Sequence, residues 1–161
     1  MTGAADETVA DPPRTRVVGR RVAQAALDHL LIGSAVLAMT VPALVGVLYL
    51  ESRGVERTTA AYLVGAVLFA AGTAADWFVL AWWPHRHGGR TPAMRRLGLR
   101  VLTETGEAPR LRAHTLRWLL GVVDFACYGL VGLAVMLCTP QRQRLGDLVA
   151  RTVVVRAPVR R

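Results

Sequence analysis

Three aspartates stand inside stretches that are otherwise apolar: Asp28, Asp76 and Asp124. An ionised carboxylate is costly among apolar neighbours and is kept where it faces other polar groups. Two chemistries fit such a set. Carboxylates gathered in a low dielectric have raised pKa values and carry protons or bind cations. Alternatively, each accepts hydrogen bonds from hydroxyls or arginines of neighbouring helices and fixes a bundle. Arg21 precedes Asp28 by seven residues, and Arg117 precedes Asp124 by the same interval. Seven residues are two helical turns, so each Arg shares a face with its Asp about 10 Å away and is the expected counter-charge. Asp76 lies eight residues before Pro84 on a helix running the other way, which sets all three carboxylates at similar depth.

Other reactive types are sparse. His85 and His87 flank Arg86, and His29 adjoins Asp28 on a different helical face. Two histidines at that spacing do not make a metal site, and Cys127 and Cys138 have neither zinc spacing nor histidine neighbours. The cysteines read as small buried hydrophobes. Nothing pairs a nucleophile with a base or forms a phosphate-binding glycine loop, so no enzyme, cofactor or metal is expected.

The elements that hold these residues are long apolar runs. Ala26 to Leu50 is one, about 25 residues, with Pro42 at its middle as a kink. Thr59 to Trp83 is the second, with Trp77, Trp82 and Trp83 at its end as an interfacial belt. Roughly 20 apolar residues cross a bilayer, so both runs suffice. A polar segment, 84–115, carries seven arginines. Within it Thr91-Pro92 reads as the N-cap and first residue of a short helix over 92–97, and 99–103 alternates like a strand. Leu116 to Thr139 is a third apolar region, followed by a short helix and the β-prone run 151–156.

The chain has 161 residues and a net charge of +9, its basic residues all arginine. With apolar runs this long, that charge reads as the cytoplasmic bias of a membrane protein and a face for anionic lipid headgroups, not as a nucleic-acid site. Arg14, Arg16, Arg20 and Arg21 put the N-terminus in the cytoplasm. A single third crossing would then leave the arginines after 140 outside, against the same bias. A helical hairpin breaking near Phe125 to Gly129 would return them to the cytoplasm, where 99–104 could pair with 151–156. Both alternatives stand at this stage. Residues 1–16 read as a disordered tail without a signal peptide, 17–157 as one transmembrane domain, and 158–161 as a basic tail.

Three blocks carry a family resemblance. Arg21 to Asp28, Gly89 to Val101 and Gln143 to Val155 resemble the RDD family of small membrane proteins, named for one Arg and two Asp. Ala93 stands where that pattern usually has Gly, and so does Arg151. The resemblance implies a cell-membrane helical bundle, suspected transport and in some members sodium–proton exchange. It points to Arg21, Asp28 and Asp147; for Asp147 a salt bridge or cap at the cytoplasmic surface is the plainer role. The expected class is therefore an all-α membrane protein, a small bundle of three apolar regions with a short cytoplasmic β pairing. Its function is expected to be transport of ions or small solutes, using Asp28, Asp76 and Asp124 with Arg21 and Arg117. The alternative is a non-transporting assembly module whose arginine face meets a membrane partner or a second copy.

Overall fold

The structure is a computed structural model and describes residues 17–156. The two expected tails, 1–16 and 158–161, lie outside the described residues.

The apolar runs become two long helical stretches, Val18–Ser52 and Arg57–Arg86, each long enough to cross a membrane. The first is α1 (Val18–Ala38) and α2 (Thr40–Ser52), broken at Met39. Pro42 causes the break, since it has no N–H to offer the carbonyl of Ala38 four residues back. The second is α3 (Arg57–Trp77), a π-helical segment (Phe78–Trp82) and α4 (Trp83–Arg86). Pro84 again follows closely: it cannot serve the Leu80 carbonyl, and the Trp83 N–H reaches back to Phe78 instead. The extra residue rotates the end of the helix and packs the π segment against a later helix. Glu56 caps α3, accepting from the amides of Thr58 and Thr59 at 3.2 Å. Large apolar side chains stay uncovered along both stretches, among them Leu30, Val41, Leu44, Tyr62, Val67 and Phe69. In lipid this exposure carries no penalty; in water it would.

α5 (Pro92–Leu97) starts on Thr91, whose hydroxyl accepts from the Met94 amide at 3.2 Å, and stops at Gly98 with φ +63°. β1 (Leu99–Thr103) pairs antiparallel with β2 (Thr152–Arg156), Val101 opposite Val154. Under this ribbon lies a small apolar core of Val17, Met94, Leu99, Val101 and Val154. Gly89 makes the close approach possible: its φ is +79°, its carbonyl accepts from the Val101 amide at 2.8 Å, and a Cβ there would sit 2.3 Å from the Val101 carbonyl oxygen.

α6 (Leu111–Asp124) leads to a 3-10 turn (Ala126–Gly129) and α7 (Leu130–Cys138); α8 (Leu145–Val149) precedes β2. α6 runs beside α1 in step with it. Arg21 and Arg117 meet at one partner, and eight residues further on the rings of His29 and Phe125 lie 4.5 Å apart. α6 therefore ends abreast of His29, about a third of the way along Val18–Ser52. Gly132 of α7 then packs on Asp124, where a Cβ would lie 2.9 Å from the Asp124 carbonyl oxygen. By residue 142 the chain is back beside Arg21, which donates to the Arg142 carbonyl at 2.7 Å. Cys127 and Cys138 are free and exposed, against the expectation of burial: the excursion from α6 to α7 leaves them on its surface.

Candidate functional site

Asp147 is the third residue of α8, and its carboxylate reaches back to accept from the Arg144 amide at 3.0 Å, satisfying the N-cap amide of a five-residue helix. The same carboxylate takes Arg21 on one oxygen and Arg117 on the other, the latter at 2.8 Å. Both Arg21 and Asp147 are 2% exposed. Burial alone would raise the Asp147 carboxyl; Arg117, Arg21 and the Arg144 amide outweigh it and hold it at about 2. Burial, with Arg21 beside it, lowers the Arg144 guanidinium to about 10, still cationic at neutral pH.

The expected counter-charges are thus redistributed. Arg21 and Arg117 do not close on Asp28 and Asp124 but converge on Asp147. Two helical turns separate each expected pair, which is beyond hydrogen-bond reach along one helix, whereas α8 brings a carboxylate directly between the two arginines.

Asp28 is fully buried and has other partners: the Gln24 side chain at 2.6 Å, the Thr91 hydroxyl at 2.6 Å and the Ala93 amide at 3.1 Å. It ties α1 to the start of α5, through the very Thr-Pro-Ala segment that reads as a helix start. Asp124 accepts from the amides of Leu145 at 3.0 Å and Gly146 at 3.3 Å, tying the end of α6 to the start of α8. Gly146 is needed there, since a Cβ would come within 3.0 Å of the Arg117 carbonyl oxygen. Thr152 completes the cluster. Its hydroxyl receives Arg117 at 2.9 Å, and its carbonyl receives the Gln143 side chain at 2.9 Å. Gln24, Gln143, Gly146 and Thr152 escape a reading based on charges, because neutral groups at long sequence separation leave no periodic trace; only Gln24, four residues before Asp28, carries a local signal.

Asp76 stands apart from these ties. One of its oxygens accepts from the Trp118 indole at 2.8 Å, while Trp77 donates to the Thr115 hydroxyl at 3.2 Å, so α3 and α6 are pinned at two adjacent points. Asp76 also lines a cavity of about 820 Å³ between α1, α3, the π segment and α6. Arg21, Arg117, Arg144, Asp124 and Asp147 form its polar end, and the rest of its wall is largely apolar. His114 lines it as well; this ring is 1% exposed and its Nε2 has no hydrogen-bond partner among the described residues.

His85 and His87 lie at the end of the second stretch, where His87 stacks on Trp83 with centroids 4.1 Å apart. Among the described residues no three His, Cys, Asp or Glu side chains are grouped to hold a metal. The arrangement thus contains two distinct parts: a charge cluster with well-partnered carboxylates that joins α1, α5, α6, α8 and the ribbon, and beside it a largely apolar cavity with one partly open carboxylate.

A family model described as the RDD family matches residues 15–151. No curated protein and no solved structure matches the chain.

Proposed function

The chain belongs to the RDD family and is a membrane protein, and on that premise we propose that it is a non-enzymatic, multi-pass cell-membrane protein that carries a small solute through the cavity between α1, α3 and α6. The observation that carries this reading is the cavity itself: about 820 Å³ lies within the range of organic-ligand sites, with convergent polar groups at one end and apolar walls elsewhere. In the accompanying topology Val18–Ser52 and Arg57–Arg86 cross the bilayer, and α6 to α7 enters as a hairpin and returns. The depth of Phe125 beside His29 and the return of Arg142 to Arg21 support this, and both termini then face the cytoplasm.

The ion form of this reading, cation–proton exchange, rests on Asp76. Asp28, Asp124 and Asp147 spend their oxygens on amides, hydroxyls and guanidiniums, whereas Asp76 has a single hydrogen-bond donor among the described residues and faces the cavity. The test is proton flux in proteoliposomes under sodium or potassium gradients. Flux in the wild type, abolished by Asp76→Asn in a protein that melts unchanged, supports the ion form. No wild-type flux under either gradient ends it and leaves an organic solute as the load.

A second reading has its own observation. Arg86, Arg95, Arg96, Arg110 and Arg112 are exposed from the end of the second stretch to the first turn of α6, a basic face suited to anionic headgroups or a membrane partner. Loss of cellular function on replacing Arg95 and Arg96 by Gln, with the cavity intact, would favour that assembly role.

A further inference from the structure

The cavity opens sideways. Phe69 on α3 and Leu119 and Val122 on α6 line it, and they are 78%, 58% and 77% exposed. On a membrane protein such side chains face lipid, so a water-soluble solute would have to cross hydrocarbon to enter by this route, whereas an amphiphile need only slide in from the bilayer. Val36 and Leu68 continue the apolar wall inward.

The far end is cationic in its spare capacity. Asp147 is held by two arginines and an amide, and Asp124 by two amides. Arg117 is 15% exposed against 2% for Arg21, and its Nη1 alone serves both Asp147 and Thr152. Among the described residues the half-buried Arg144 side chain donates to the Arg21 carbonyl alone, at 3.4 Å, while lying over the Phe125 ring at 5.6 Å. His114 precedes Arg117 by one turn on the same face of α6, and Gly121 follows it by one turn. At Gly121 an added Cβ would meet nothing within 4 Å, so the helix leaves open space where a side chain would fill the cavity. Guanidiniums with unused donors above an apolar slot match a phosphate bearing acyl chains.

Resting on the reading that this cavity holds the transported species, we propose that its occupant is an anionic phospholipid taken laterally from the bilayer, with its phosphate at Arg117 and Arg144 and its chains along Val36, Leu68 and Phe69. Inorganic ions are too small to fill the space, and the slot has a wall for chains that a purely polar solute would not use.

Native mass spectrometry of the full chain in detergent tests this, titrating three probes: phosphatidylglycerol, diacylglycerol (chains without phosphate) and glycerol phosphate (head without chains). The wild type should retain one phosphatidylglycerol, at least tenfold more tightly than either other probe. Gly121→Leu, which fills the cavity without touching the charge cluster, should lower that retention at least tenfold at an unchanged melting temperature, with Gly121→Ala intermediate. Arg144→Gln should reduce the preference over diacylglycerol. Equal retention by wild type and Gly121→Leu would overturn the proposal, because the lipid would then be peripheral. So would equal binding of diacylglycerol, or equal binding of glycerol phosphate. If no lipid is retained but Gly121→Leu still blocks ion flux, the lipid occupant fails and the cavity remains a solute route; with neither effect, the lipid occupant and the ion form both fail.

Discussion

Asp147 shows how one carboxylate can organise several arginines. Its carboxyl is held at about 2, below its ordinary 3.8. A group whose folded pKa is depressed contributes stability above its unfolded value, and that contribution is lost as pH falls through the folded value. The difference corresponds to roughly 2 kcal/mol, present in full above about pH 5 and removed between about pH 4 and 2. Melting in detergent should therefore be flat in this contribution from pH 7 to 5 and drop steeply below 4. Asp147→Asn should lower stability at pH 7 and flatten that acid limb; an unchanged limb would mean that another carboxylate carries it. Removing one partner of a buried ion pair typically costs about 3–5 kcal/mol, so Arg21→Gln should be among the most damaging single changes, read as loss of folded protein on size exclusion. Asp28→Asn keeps an acceptor for Gln24 and Thr91 on its one oxygen but then turns its NH2 group toward the Ala93 amide, so a moderate loss of stability is expected there as well.

Short elements in this chain depend on backbone positions that only some residues tolerate. Arg151 sits at φ +49°, immediately before β2, and its side chain is exposed. A non-glycine residue in that region stores of order 1 kcal/mol. Arg151→Gly should thus raise stability by up to about 1 kcal/mol, partly offset by the extra freedom of glycine in the unfolded chain; a melting point that falls would show that the Arg151 side chain makes a contribution larger than the strain. Gly89 is the opposite case. Gly89→Ala places a Cβ against the Val101 carbonyl at a positive φ, and the ribbon should detach from the end of the second stretch, with amide exchange of Val101 accelerating first. These elements also mark what the sequence discloses. The helix at 92–97, the strand at 99–103 and its pairing with the run near 151–156 are legible, because Thr-Pro capping and β-branched alternation are local signals. The π segment at Phe78–Trp82 is not, since its register follows from Pro84 and packing against α6 together. The convergence of Arg21 and Arg117 on Asp147 is equally hidden: the spacing within each helix is visible, but the third partner arrives from a turn more than twenty residues beyond α6.

At the scale of the whole molecule, the charge cluster and the apolar stretches divide the chain into a buried knot near one end and two long helices projecting beyond it. Nearly every long-range polar tie among the described residues lies in the knot: Asp28 to α5, Asp124 to α8, Asp147 to α1 and α6. Beyond His29 the first and second stretches have only each other and the surroundings, so α2 against α3 is the part most dependent on lipid. That division bears on the proposed orientation. Most of the exposed arginines lie in the knot, where the first stretch starts, whereas Arg53 and Arg57 at the far link stand beside Glu51 and Glu56, so the positive-inside bias supports a cytoplasmic knot and an exterior link. The third apolar region leaves the knot at Arg117 and has rejoined it at Arg142, so in the proposed topology it adds no crossing and β2 lies on the same side as Val17. A phosphatase–fluorescent protein pair fused in turn after residue 156 should consequently report cytoplasm, and fused within 53–56 should report exterior. Phosphatase activity at the C-terminal fusion would require α6 to α7 to cross, which would pull β2 from β1 and separate Asp147 from Arg21. The same inversion would strip the cavity of its cationic end, so this one topology measurement bears on the knot and the cavity together.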